Sequence, residues 1–160
     1  MELNMVDLHD WIIKPSLTSL GVNNINAEWL LLGTALYEYS RFHQLSLLNQ
    51  GYGLYNISGE RHQAIWDTYL IHRPELASMA RGLASQRQFL ASPHQELASN
   101  MAFATAIAWL IYEEQGLVLS SRPYRDSEFG MLWARYFNNG TPMPRRATGF
   151  NKTFSKLRRD

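Results

Sequence analysis

The sequence predicts a mainly α domain with at most a small β element. Three observations carry that expectation. Apolar residues recur at helical spacing through most of the chain, while only "YGLYNI" within Asn49–Gly59 combines β-formers with glycines. The 160 residues, 46% apolar and 18% charged, suit one ordinarily globular domain spanning 1–160 and able to bury its own core. No internal repeat and no long linker divides the chain.

Taken in order, residues 4–14 read as a short helix with Leu8, Trp11 and Ile12 at helical spacing, stopped by Pro15. Asn24 and Asn26 are possible caps of a long helix running to about His43. Its apolar residues lie nearly all round, which predicts a central, buried position. A loop or short hairpin over 49–59 follows, then a helix over 60–69 and another from Pro74 through Ala84. "SPHQELASNMAFATAIAWLIYEEQG" predicts one helix with Ser92 as cap, Pro93 at its first position and Gly116 as its stop. "SEFGMLWARYF" makes a last helix before the turn "NNGTPMP".

Composition excludes several chemistries. The chain has no cysteine, so disulfides, thiol nucleophiles and thiolate metal sites are impossible. The five histidines show no His-Glu-x-x-His or close paired spacing, so neither metal nor cofactor is expected. There is no Gly-x-Ser-x-Gly elbow and no phosphate-binding loop. The first residues lack a basic region followed by an apolar run, so the expectation is synthesis in a cytoplasm without a signal peptide. Residues 145–160 carry Arg145, Arg146, Lys152, Lys156, Arg158 and Arg159 against Asp160 alone. Such an end suits an anionic partner; a solvated terminal helix or fraying tail is the simpler explanation. Nucleic acid is not the expected partner, because no recognition helix flanked by basic residues accompanies the cluster.

The residue that points to chemistry is Glu38. Leu31, Thr34, Ala35 and Phe42 share its helical face, so its carboxylate should be desolvated. Desolvation raises a carboxyl pKa, and a carboxyl that keeps its proton can protonate a leaving glycosidic oxygen. The competing reading is a salt bridge to Arg41, Arg61 or another base. Tyr52 and Tyr55 either stack on sugar rings or fill the core. Trp66 and Trp109 read as core, and His62 as a helix-capping or structural residue. Trp133 and Tyr136, three apart, share a face that backs a cleft or packs on the central helix.

"GTALYEYSRF", then "GYGLYNIS", "SNMAFATAIAWLIY" and "LWARYFNNG" occur in an order and spacing that resembles the lysozyme-like lytic transglycosylases. More narrowly, they are similar to phage-encoded members and their goose-type lysozyme relatives. The resemblance implies a lysozyme-like fold, peptidoglycan glycan strands as substrate and Glu38 as catalytic acid. It makes Gly53, Leu54, Tyr55 and Asn56 a cleft-lining turn, Asn100 the start of an inner helix, and Tyr136 with Asn138 the pair that closes the site; Tyr52 is a further candidate to bind the sugar beside that turn. Other virion proteins are further partners that it implies.

Three departures stand out. The Ser that the family carries directly after the Glu is displaced to Ser40, behind Tyr39. Asn56 replaces the turn's usual Gln. Ser58 stands where goose-type enzymes have a carboxylate, with Glu60 the nearest acid. Hydrolysis by two carboxylates is therefore less expected than transglycosylation, in which the sugar's own 6-hydroxyl attacks and one Glu serves as acid and base.

Overall fold

The computed structural model describes residues 4–42, 51–138 and 143–159. Among these the chain is mainly helical. The only pairing of extended backbone among the described residues is an isolated antiparallel bridge between Tyr52 and Ile57.

The N-terminal segment continues past the proline expected to end it. α1 (Met5–Asp7) passes into a π turn (Leu8–Ile13) and then α2 (Lys14–Ser19). Pro15 lies in the first turn of α2, directly after the π turn. The preceding π turn, closed by the Lys14 N–H on the His9 carbonyl, resets the register for it.

α3 (Ile25–Phe42) begins where Asn24 Oδ1 accepts the Asn26 N–H at 2.8 Å. Asn26 is not the cap. Its buried amide donates to the carbonyls of Ser120 and Arg122 at 2.9 and 2.7 Å, tying the 117–125 connection to the start of the helix. From Leu30 through Ala35 every residue of α3 is buried. Glu38 is the last buried residue before Tyr39 and Ser40 emerge into solvent.

The region after the turn is α4 (Gly59–Ala64), a π turn (Ile65–Tyr69) and a 3-10 turn (Leu70–His72). α5 (Pro74–Leu83), α6 (Gln86–Ala91), α7 (Pro93–Ser99) and α8 (Met101–Glu114) follow. The single helix predicted from Ser92 to Gly116 is thus two. Asn100 breaks it with extended backbone, and its side chain caps α8 by accepting the Phe103 N–H at 3.0 Å. Asparagine competes with the helical ladder for such bonds, which is why it ends one helix and starts the next. α8 is the most enclosed element, with Phe103 through Tyr112 all buried. The central position is therefore shared between α3 and α8.

α9 (Asp126–Leu132) runs into a π turn (Trp133–Phe137), and α10 (Met143–Arg159) closes the described chain. α10 is no loose tail. Ala147, Phe150 and Phe154, spaced three and four apart, are buried against α3 and α9, while Lys152 and Lys156 point outward. Gly33 makes room for them, since a Cβ there would lie 2.6 Å from the Phe150 ring.

Candidate functional site

The site is built where α3 leaves the core and meets the turn before α4. Gly53 has φ +71°, and a Cβ on it would collide with the Leu97 carbonyl of α7, so only glycine fits. Asn56 also lies in the left-handed region, at φ +53°, a conformation asparagine tolerates better than most side chains. Its Oδ1 accepts the Gly51 N–H, which leaves its Nδ2 aimed away from the turn. That Nδ2 donates to Glu38 Oε2 at 3.4 Å. From the other side Trp133 Nε1 donates to Glu38 Oε1 at 3.1 Å. The carboxylate, 4% exposed, thus has a neutral donor on each oxygen, one from the glycine turn and one from the π turn after α9.

Beneath it lie two buried tyrosine–threonine pairs. Thr34 gives its proton to the Leu30 carbonyl at 2.7 Å, so the Tyr112 hydroxyl donates to Thr34 Oγ1, also at 2.7 Å. Thr105 likewise donates to Met101, and the Tyr55 hydroxyl donates to Thr105 at 2.8 Å. Burial raises the pKa of both phenols well above the ordinary tyrosine value, so neither supplies a proton by ionising near neutrality.

The predicted residues divide. Glu38, Asn56 and the glycine turn come together, with Leu54 half-buried against the core. Tyr55 does not line a cleft: it is fully buried with its hydroxyl on α8, so of its two alternatives the core holds, and the cleft-lining role that the resemblance implied is corrected. Tyr52 is the outer of the two, 36% exposed, with its ring 5.7 Å from His94. Ser40 is exposed and turned back onto the Tyr37 carbonyl at 2.8 Å, away from the role the displaced motif position implied. The Asn100 amide is committed to Leu83 and Glu96, both at 2.8 Å, and its Oδ1 to the cap, so its duty is structural. Ser58, where an acid was conceivable, caps α4 by accepting the Arg61 N–H at 3.1 Å. The Tyr136 carbonyl accepts from Arg61 at 3.3 Å, and the Asn138 N–H closes the π turn on Trp133 at 2.9 Å.

Two features escaped sequence reasoning. Arg61 was only one of several possible partners for Glu38; it extends over the Phe137 ring and donates to the carbonyls of Phe137 and Tyr136. The second is a buried histidine relay. Trp66 Nε1 can only donate, and it does so to His62 Nε2 at 3.0 Å. His62 therefore carries its proton on Nδ1 and donates to His94 Nδ1 at 2.9 Å. No spacing signal links positions 62 and 94, because the contact joins α4 to α7.

The relay has a consequence for stability. Burial, reinforced by the nearby His94, lowers the His62 pKa from the ordinary 6.5 to about 4. The folded state thus binds this proton more weakly than the unfolded chain. The contribution is fully present above pH 6.5 and is lost as pH falls from there towards 4, reaching about 3 kcal/mol at the acid end. Thermal melts between pH 7 and pH 4 should show this loss in the wild type and a clearly shallower slope in His62→Gln. Equal slopes would remove His62 as the cause.

A groove of about 380 Å³ opens beside this region, lined by Ser58, Glu60, Arg61, Thr68, Glu114 and Gln115 among others; Glu38 is not in its lining. Among the described residues no group of three or more His, Cys, Asp or Glu side chains could hold a metal ion, and no helix is long and apolar enough to cross a membrane. No family model, no curated protein and no solved structure matches this chain.

Proposed function

We propose that the chain is a peptidoglycan-cleaving enzyme of phage type with a lysozyme-like fold. It acts as a lytic transglycosylase on the β-1,4 bond between N-acetylmuramic acid and N-acetylglucosamine. The observation that carries this reading is Glu38 itself: a carboxylate at the exit of a buried helix, with donors from the glycine turn and from Trp133. Protonated, Glu38 gives its proton to the departing 4-oxygen as the bond from the muramyl anomeric carbon breaks. The muramyl 6-hydroxyl then attacks that carbon and returns its proton to Glu38, closing a 1,6-anhydro ring. Between the two transfers the Trp133 and Asn56 donors stabilise the ionised carboxylate. Ser58, occupied in capping α4, is consistent with a route needing one acid.

In this reading the protein is made in a host cytoplasm and acts at the wall, alone or with other virion proteins. The exposed Lys152 and Lys156 of α10 add attraction to anionic wall polymers. Sacculus binding should weaken as salt rises from about 50 mM to about 300 mM, as screening shortens the reach of surface charge. Binding unchanged across that series would remove the basic end from the account.

A second reading, a wall-binding or virion structural protein without turnover, is favoured by one observation. The groove at Glu60, Arg61 and Glu114 leaves Glu38 outside its lining, so a ligand could sit there without meeting the acid. Sedimentation with intact sacculi, set beside product release from the same sample, separates the two. Binding with release supports the enzyme, and binding without release supports the structural protein.

A further inference from the structure

Glu38 takes a hydrogen bond from the Trp133 indole at 3.1 Å, so whatever fixes that indole also fixes the bond. Phe150 of α10 stacks on the indole at 5.6 Å. A further ring meets it from α3, that of Tyr37, the residue directly before Glu38. The two centroids are 4.8 Å apart and the planes stand at 83°. Tyr37 also meets Phe150 at 5.8 Å, so the three rings form one closed cluster beside the carboxylate. Tyr37 is seated in turn by α10. Gly149 lies well inside that helix, where glycine is among the least favourable residues. A Cβ there would stand 2.6 Å from the Tyr37 hydroxyl oxygen and 3.3 Å from its Cζ. Gly33, one turn before Tyr37 on α3, admits Phe150 and Phe154 in the same way. Each helix thus offers a glycine to a ring of the other, which sets how closely they approach and where the Tyr37 ring lies.

We propose that Tyr37 is a positioning residue for Glu38: its ring, seated against Gly149, holds the Trp133 indole N–H on the carboxylate. The inference rests on the reading of Glu38 as acid and base and adds the residue that aims its donor. Neighbours on a helix point about 100° apart, so Tyr37 braces the partner of Glu38 from the side rather than sharing its direction. Hydrogen bonds weaken steeply when donor and acceptor fall out of line, and a small tilt of the indole is enough to loosen this one. Ring-to-ring contacts of this kind have a preferred geometry, so an aliphatic side chain at position 37 fills space without restoring the angle.

The test is the nitrogen-15 and proton signal of the Trp133 indole N–H, assigned by its absence from Trp133→Phe. The quantity read is how far Glu38→Gln displaces that signal, measured with Tyr37, with Tyr37→Leu and with Tyr37→Phe. Taking the displacement within each background cancels the direct effect of a lost ring. It should shrink to about half or less in Tyr37→Leu and stay near the wild-type value in Tyr37→Phe, which keeps the ring. In an active enzyme Tyr37→Leu should also lower kcat about tenfold with KM little changed. No displacement in the wild type, or an undiminished one in folded Tyr37→Leu, would overturn the proposal, as would an unchanged kcat. Should Tyr37→Leu fail to fold, Gly149→Ala decides. A displacement reduced by that methyl and restored when Tyr37→Phe removes the hydroxyl in its way upholds the proposal; one unaffected, or reduced and not restored, overturns it. The signal needs no turnover, so a wild type that cleaves nothing yet shows the expected pattern would refute the enzyme reading and leave the placement of Trp133 by Tyr37 standing.

Discussion

Phe150→Ala should destabilise the protein by about 3–5 kcal/mol, the range for deleting a fully buried phenylalanine side chain. The ring is inaccessible to solvent and stacks on Trp133 at 5.6 Å and Phe154 at 6.0 Å, with Tyr37 edge-on at 5.8 Å. Gly33 leaves the seat into which it fits, so the surrounding helix backbone has little means of closing the void. At about 2–4 °C per kcal/mol for a chain of this size, the thermal midpoint should fall by about ten degrees. Urea unfolding with an unchanged slope would assign the loss to stability alone. A loss under about 1 kcal/mol would contradict the docking of α10 on the core. The same substitution removes one wall of the Trp133 ring, so the donor to Glu38 loses its lateral support and activity should fall along with stability.

That α10 closes the core was only half legible in the sequence. Its cluster of lysines and arginines carried the reading of a solvated helix or tail, while the stripe of Ala147, Phe150 and Phe154, three and four apart, went unread beneath the charge. Long, strongly periodic elements were the easiest to read. α3 lies within a residue or two of its predicted span, and α5 within one. Breaks depended on side-chain chemistry that periodicity does not register. Asn100 splits α7 from α8 because a cap and two amide bonds outweigh a continued ladder. Pro15 sits inside a helix because a π turn prepares its place.

The candidate site shows the same division. Glu38 and the turn at Gly53–Asn56 were visible because an acid on an apolar face and a glycine-rich break are local patterns. Tyr52 and Tyr55 could not be separated in advance, since which of them faces the core depends on where α8 passes. The Trp66–His62–His94 relay and the grip of Arg61 on the π turn join distant elements, and only the packing brings them together.

Glu38→Gln should lower glycan cleavage by about 10²–10⁴-fold, the usual share of a positioned acid and base, with little change in fold. A glutamine has the same outline but cannot pass a proton back and forth. Its stability cost should be about 1 kcal/mol, because one of its two terminal atoms becomes a donor facing either Trp133 or the Asn56 amide. Asn56 cannot turn to compensate, since its Oδ1 is held by the Gly51 N–H. Loss of turnover with retained melting behaviour would therefore separate chemistry from support. Loss of both would reduce Glu38 to a buried structural acid.

The most direct measurement is mass spectrometry of the soluble products after wild type and Glu38→Gln are each incubated with peptidoglycan sacculi. The account predicts 1,6-anhydromuropeptides from the wild type and essentially none from the variant. Reducing muropeptides from the wild type would contradict the one-acid route and require a second carboxylate, with Glu60 the first to replace. No release from the wild type on sacculi that it demonstrably binds would contradict the enzyme reading itself.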